Sequence, residues 1–86
     1  MANIASQRKR NARSLRERDE NRRLKSTVRT YFRRLEEAVG AGEADAADAA
    51  LRHLNSETDR AVRRGALHRN NGARKKARAA RLRATL

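Results

Sequence analysis

Apolar residues recur every three or four positions in one stretch of the chain, which predicts an α-helix with one packed face. Arg, Glu and Lys dominate the preceding polar stretch between Leu15 and Leu24 and are good helix formers, so the helix is expected to extend toward the N-terminus. We predict one helix over residues 4–39 whose first half frays without a partner, because that half has no apolar stripe to pack. The stripe comprises Leu24, Val28, Tyr31, Phe32, Leu35, Ala38 and Val39, and we interpret its two aromatic residues as core.

Two further helices are predicted after this one. Gly40 and Gly42 interrupt the pattern, and Gly65 interrupts it again, as glycine does just past a helix end. The predicted spans are residues 43–64 and 67–85. The second helix has a stripe of Ala44, Ala47, Leu51, Leu54, Thr58 and Ala61, and the third has a narrow stripe of Ala66, Asn70, Ala73, Ala77, Ala80 and Ala84. The fold class is therefore all-α: a three-helix bundle with a long, N-terminally extended first helix, in one domain over residues 1–86.

Charge is distributed unevenly along these helices. The net charge is +13, and residues 60–86 contain ten basic side chains and no acidic one, whereas residues 36–59 carry a net charge of −6. Such an imbalance indicates a polyanionic partner. Arginine outnumbers lysine by 19 to 4, which suits phosphate recognition, although a GC-rich genome produces the same bias. The basic clusters are Arg8, Lys9, Arg10 and Arg13 in the first helix and Arg69, Arg74, Lys75, Lys76 and Arg78 in the third.

Composition excludes several kinds of site. There is no cysteine, and two histidines cannot form a metal site alone, so we expect no metal and no cofactor. No nucleophile–base spacing or glycine-rich phosphate loop occurs, so we expect no enzymatic activity and no small-molecule substrate. No apolar run is long enough to span a membrane, and the expected location is the cytoplasm. With few aromatic residues, the chain is suited to folded RNA recognised by backbone and shape rather than to single strands recognised by stacking.

Three stretches resemble the bacterial small-subunit ribosomal protein S20 family, in order and spacing. They are Met1 to Arg10 (MANIASQRKR), Asn21 to Arg34, and Gly65 to Asn70 (GALHRN) followed by Ala73-Arg74-Lys75. The resemblance implies a three-helix bundle whose first helix lies along 16S ribosomal RNA during small-subunit assembly. It also implies a monomer within the ribosome, with room for contacts to other small-subunit ribosomal proteins.

The family's RNA contacts carry over to eleven positions: Ser6, Arg8, Lys9, Arg10, Lys25, Arg29, His68, Arg69, Asn70, Arg74 and Lys75. The charge pattern adds Arg13 and Lys76. For His68, which opens the third helix, a packing role and an RNA contact are equally compatible with the sequence. The chain departs from the family at Ala5 and Asn71, where lysine is usual, and at Gly72, where alanine is usual. Glycine there should weaken the start of the third helix by roughly 1 kcal/mol.

Two other functions are compatible with parts of the pattern. A dimeric DNA-binding coiled coil would use the seven-residue spacing of Leu24 and Tyr31 and of Val28 and Leu35, but the repeat lasts only about two heptads before Gly40. A membrane-surface helix would need a broader apolar face near the N-terminus than Ile4, Ala12 and Leu15 provide.

Overall fold

The structure, a computed structural model, describes residues 4–86 and confirms the predicted fold class. Its three α-helices are α1 (Ile4–Gly40), α2 (Ala44–Arg63) and α3 (Arg69–Ala84), and no strand occurs among the described residues. The first three residues of the N-terminal stretch that resembles the S20 family lie outside the described residues. None of the helices between residues 4 and 86 combines the length and hydropathy needed to cross a membrane.

A glycine with positive φ closes each of the first two helices. Gly42 has a φ of 70° and Gly65 a φ of 78°, in the left-handed region that glycine adopts without strain. The Gly42 N–H donates to the Val39 carbonyl, and the Glu43 N–H donates to the Ala38 carbonyl. This pair of bonds is a Schellman motif, and the same pattern surrounds Gly65. Both motifs end their helix sharply, and the short connections place consecutive helices side by side.

A thin core lies along the seam between the three helices. Leu35 of α1 and Leu54 of α2 are fully buried at its centre, and most other buried hydrophobic residues are alanine. The expected stripe of α1 is confirmed, with Tyr31 and Phe32 partly buried against the core. The stripe of α2 is confirmed except at Ala44, which is exposed. A core with so few large side chains buries little area, so the stability of the bundle is modest.

The packed face of α3 differs from the expected one by one residue. Gly72 and Ala79 are buried, whereas Ala73, Ala77, Ala80 and Ala84 are exposed. Lys76 lies between these two buried residues, and Arg83 lies one turn after Ala79. Both side chains are half-buried along the seam. Their long side chains can cover apolar surface while the charged ends reach acids of α2. The inward positions of α3 also include Leu82, so two of the five are cationic, which is why the pattern of small residues pointed to the wrong face.

The first half of α1 extends beyond the bundle. Every residue from position 4 to 20 is exposed, including the large apolar side chains of Ile4 and Leu15. The molecule is accordingly elongated, with dimensions of 63 × 20 × 13 Å. We call residues 4–20 the overhang. It presents its whole circumference to a partner.

Candidate nucleic-acid interface

The overhang carries the first group of predicted RNA-binding residues, all of them exposed. At 100° per residue, positions 6, 10 and 13 lie on the same side of α1 as Leu24, whereas Arg8 lies near the opposite side. Cations therefore occupy more than one face of the helix. Arg13 forms an ion pair with Glu17, with 3.2 Å between Nε and Oε1, and both side chains are mostly exposed. Such a pair contributes at most about 0.5 kcal/mol and leaves Arg13 free to exchange partners. The residues of this group are Ser6, Arg8, Lys9, Arg10 and Arg13.

A second group of cations meets in a groove between α1 and α3. Lys25 of α1 lies on one wall, and Arg74 and Lys75 of α3 lie on the other. The structure thus brings together three predicted residues that are far apart in the sequence. Arg78 extends the same wall, with its guanidinium 5.0 Å from the centre of the Phe32 ring. We call this the α1–α3 groove. Arg29 is exposed one turn beyond Lys25, on the same flank of α1.

The start of α3 contributes a capping residue with a free donor. His68 is the N-cap, in extended conformation, and its Nδ1 accepts a hydrogen bond of 3.1 Å from the Asn70 N–H. An imidazole that accepts at Nδ1 carries its proton on Nε2 when neutral, and His68 is exposed. His68 therefore caps α3, and its Nε2–H is available to an outside acceptor. Arg69 and Asn70 follow it in the exposed first turn of α3.

Lys76 differs from the other predicted residues. Its ammonium lies 2.9 Å from Asp59 Oδ1 of α2, and its side chain is 41% exposed. The charge of Lys76 is thus partly neutralised within the protein. Its contact with RNA stays a prediction, but its ion pair ties α3 to α2.

Five of the ten acidic residues lie toward the opposite end of the bundle. There Arg83 of α3 donates from Nε and Nη2 to the two carboxylate oxygens of Asp48 of α2. These hydrogen bonds lower the pKa of the Asp48 carboxyl from its ordinary value. His53, expected at the surface or edge of α2, is exposed and stacks on Tyr31 with ring centres 5.2 Å apart. The surface is therefore more basic on the overhang and its junction with the bundle than at the far end, here called the acidic end, where Glu36, Glu37, Glu43, Asp45 and Asp48 lie.

Sequence reasoning did not include two further arginines of α1. Arg18 and Arg22 line a shallow groove with Lys25, along one flank of the helix. Their spacing of four and three residues is the signal that identifies them, since such positions share a helix face. Within residues 4–86, no cluster of histidine and carboxylate side chains could hold a metal ion.

Comparison with known proteins agrees with this arrangement. The family described as ribosomal protein S20 matches residues 2–83 of the chain. The small ribosomal subunit protein bS20 of Corynebacterium diphtheriae is 45% identical over 76 residues, which are 88% of this chain and 87% of that protein. The protein of the same name from Frankia casuarinae is 42% identical over 86 residues, covering 100% of this chain and 97% of the relative.

The family match and the Frankia relative extend over nearly the whole chain, including the overhang, the α1–α3 groove and the acidic end. The similarity therefore covers every element that the interface uses. The chain belongs to the ribosomal protein S20 family, as the three resembling stretches indicated.

Proposed function

We propose that this protein is a structural constituent of the small ribosomal subunit that binds 16S ribosomal RNA directly and supports its folding and subunit assembly. The relatives are named as small ribosomal subunit proteins, which supports the ribosomal role and a location on cytoplasmic ribosomes. Family membership also agrees with the expectation that the protein is not an enzyme. The whole chain, residues 1–86, acts as one RNA-binding domain in this proposal.

The observation that carries the proposal is the combination of the overhang with the α1–α3 groove. The overhang has no apolar face to pack on its own protein, so contacts outside the chain must stabilise it. The groove next to it gathers cations from two helices around Lys25, with no acidic residue in its lining. A phosphate backbone supplies the negative charge that both features lack, and its binding releases counterions.

The residues proposed to contact RNA lie on the overhang, on the flank of α1 and at the start of α3. Arginine presents a planar fork to phosphate oxygens, and the exposed Nε2–H of His68 offers a further donor. No cofactor, small-molecule substrate or membrane enters the proposal. The proposed contacts are Ser6, Arg8, Lys9, Arg10, Arg13, Lys25, Arg29, His68, Arg69, Asn70, Arg74, Lys75 and Lys76.

The alternative of a dimeric coiled coil lacks an apolar seam. Val28 and Leu35, which would form the zipper, are buried against the chain's own α2 and α3. A helix that uses its stripe inside the bundle has none left for a second copy. The packing therefore favours a monomer, which sedimentation equilibrium of the free protein would verify.

Filter binding to 16S ribosomal RNA across a salt series tests the proposal. The logarithm of the affinity should fall steeply with the logarithm of salt concentration, by close to one unit of slope per phosphate contacted. The double variant Arg74→Gln/Lys75→Gln should reduce that slope by about two. A matched control is Arg52→Gln/Arg81→Gln, which removes the same charge from exposed positions nearer the acidic end. Weak binding that salt does not affect would contradict the proposal.

A further inference from the structure

A second cationic groove lies on the other side of α1, between α1 and the end of α2. Arg23 of α1 and Arg60 and Arg64 of α2 line it, together with Leu24 and Glu20 of α1. The three arginines are exposed, and Leu24 is half-buried. We call this the Leu24 groove. Neither the sequence pattern nor the family resemblance assigned its arginines to a site.

The arginines of the Leu24 groove form no ion pair within the described residues. The ion pairs of residues 4–86 join Arg13 to Glu17, Lys76 to Asp59 and Arg83 to Asp48. Glu20 lines the same groove but forms no ion pair of 4.0 Å or less with any of the three arginines. Where α3 packs on α2, half-buried cations are thus paired with acids, whereas in this groove three arginines share a single carboxylate, that of Glu20, and an excess of positive charge remains.

The helix dipole accounts for only part of this cluster. Arg60 lies in the last turn of α2 and Arg64 at its C-cap, where cations interact favourably with the carbonyl end of the helix. Arg23 comes from a different helix, so its place in the cluster is not set by the end of α2. Guanidinium groups that come together from two helices can instead donate hydrogen bonds to one anion held between them.

We propose that the Leu24 groove binds a segment of RNA phosphate backbone, on the α2 side of α1. The inference rests on the proposed function and adds a contact surface to it. Arg60 and Arg64 are four residues apart, so their Cβ atoms are about 5–6 Å apart and both side chains reach one stretch of backbone. Arg23 closes the groove from α1, and Leu24 offers an apolar surface for a ribose. RNA is favoured over an acidic protein segment because the groove adjoins the overhang, whose exposed cations need the same partner.

The test is filter binding of the full-length protein to 16S ribosomal RNA between about 50 and 200 mM salt, a range over which such contacts alter affinity strongly. The double variant Arg60→Gln/Arg64→Gln should reduce the salt slope by about two, and the single variant Arg23→Gln by about one. The control Arg52→Gln/Arg81→Gln removes two positive charges elsewhere and should leave the slope within about half a unit of wild type. Far-UV circular dichroism establishes that each variant folds, and Arg23→Gln, which leaves α2 intact, provides the test if the double variant does not.

The outcomes separate this inference from the function on which it rests. A steep wild-type slope that Arg60→Gln/Arg64→Gln and Arg23→Gln leave unchanged would overturn the inference and leave the proposed function standing. An equal loss in the control would also overturn it, because net charge alone would then explain the effect. If the affinity of the wild-type protein itself depended only weakly on salt, the proposed function would be refuted. The proposed RNA contact of the groove would then be refuted as well.

Discussion

Gly72 of α3 lies so close to Val62 of α2 that a Cβ atom at position 72 would come within 2.6 Å of Val62 Cγ2. The methyl group of Thr58 would lie 3.5 Å from the same Cβ. Helix propensity alone treats this glycine as a weakness of roughly 1 kcal/mol. The structure gives it a packing role, because the missing side chain lets the two helices approach closely.

We therefore predict that Gly72→Ala destabilises the bundle, although alanine favours the helix. Overpacking costs about 1–3 kcal/mol, and the gain in helix propensity offsets about 1 kcal/mol of it, so the free energy of unfolding should fall by up to about 2 kcal/mol. Urea denaturation followed by circular dichroism measures the change. The double variant Val62→Ala/Gly72→Ala removes the clashing methyl group and should show that Gly72→Ala is stabilising in this background. Strictly additive effects in this double-mutant cycle would contradict the assigned contact.

Thr58 should be more stable as valine. Its side chain is fully buried between the helices, and its Oγ1 has no hydrogen-bond partner in the structure. A buried hydroxyl without a partner costs about 1–3 kcal/mol, whereas valine has nearly the same shape and no polar atom to satisfy. Thr58→Val should therefore raise the free energy of unfolding by about 1 kcal/mol, measured in urea. Thr58→Ser keeps the hydroxyl, loses a packed methyl group and should be destabilising; the opposite order of the two variants would show that the hydroxyl is satisfied in solution.

All three helices could be predicted from the sequence, but the packed face could be predicted only for the two that carry large apolar residues along it. In α1 and α2, Leu35 and Leu54 anchor stripes that only an inward position explains. In α3, the inward positions Lys76 and Arg83 are charged. The spacing of small residues therefore predicted that the alanines one position later form the packed face. Only the tertiary structure shows that acids of α2 lie opposite these two cations.

Many of the cations of the candidate interface could be chosen from the sequence, but their arrangement as a surface could not. An acid-poor sequence identifies cations such as Arg74 and Lys75, because few other roles accommodate so many positive charges. That Lys25 faces them across a groove depends on how α3 crosses α1, which no local pattern encodes. The N-cap hydrogen bond of His68 is likewise a matter of local geometry that the sequence left open.

The ion pair between Asp48 and Arg83 should make stability depend on pH. Its hydrogen bonds lower the pKa of Asp48 in the folded state, so folding favours the ionised carboxylate. The contribution is present above the unfolded pKa of about 3.9 and is lost as the pH falls through the lower folded value. Asp48→Asn should lower the melting temperature at pH 7 and flatten its decline below pH 4. Asp19→Asn removes a carboxylate of the overhang that forms no ion pair within residues 4–86, and the decline should remain. Identical profiles for the two variants would argue against a role for the pair.

The overhang should acquire stable helical structure only when RNA is bound. Residues 4–20 are all exposed, so nothing but local helix propensity opposes their opening, and a helix of that length is marginal in water. In hydrogen–deuterium exchange, their amides should exchange at least about tenfold faster than those of the packed residues 24–39 in the free protein. Addition of 16S ribosomal RNA should slow exchange in residues 4–20, and high salt should reverse this by competing with the phosphate contacts. Equal protection of both segments without RNA would mean that the overhang is stable by itself, and its missing apolar face would then no longer argue for a polyanionic partner.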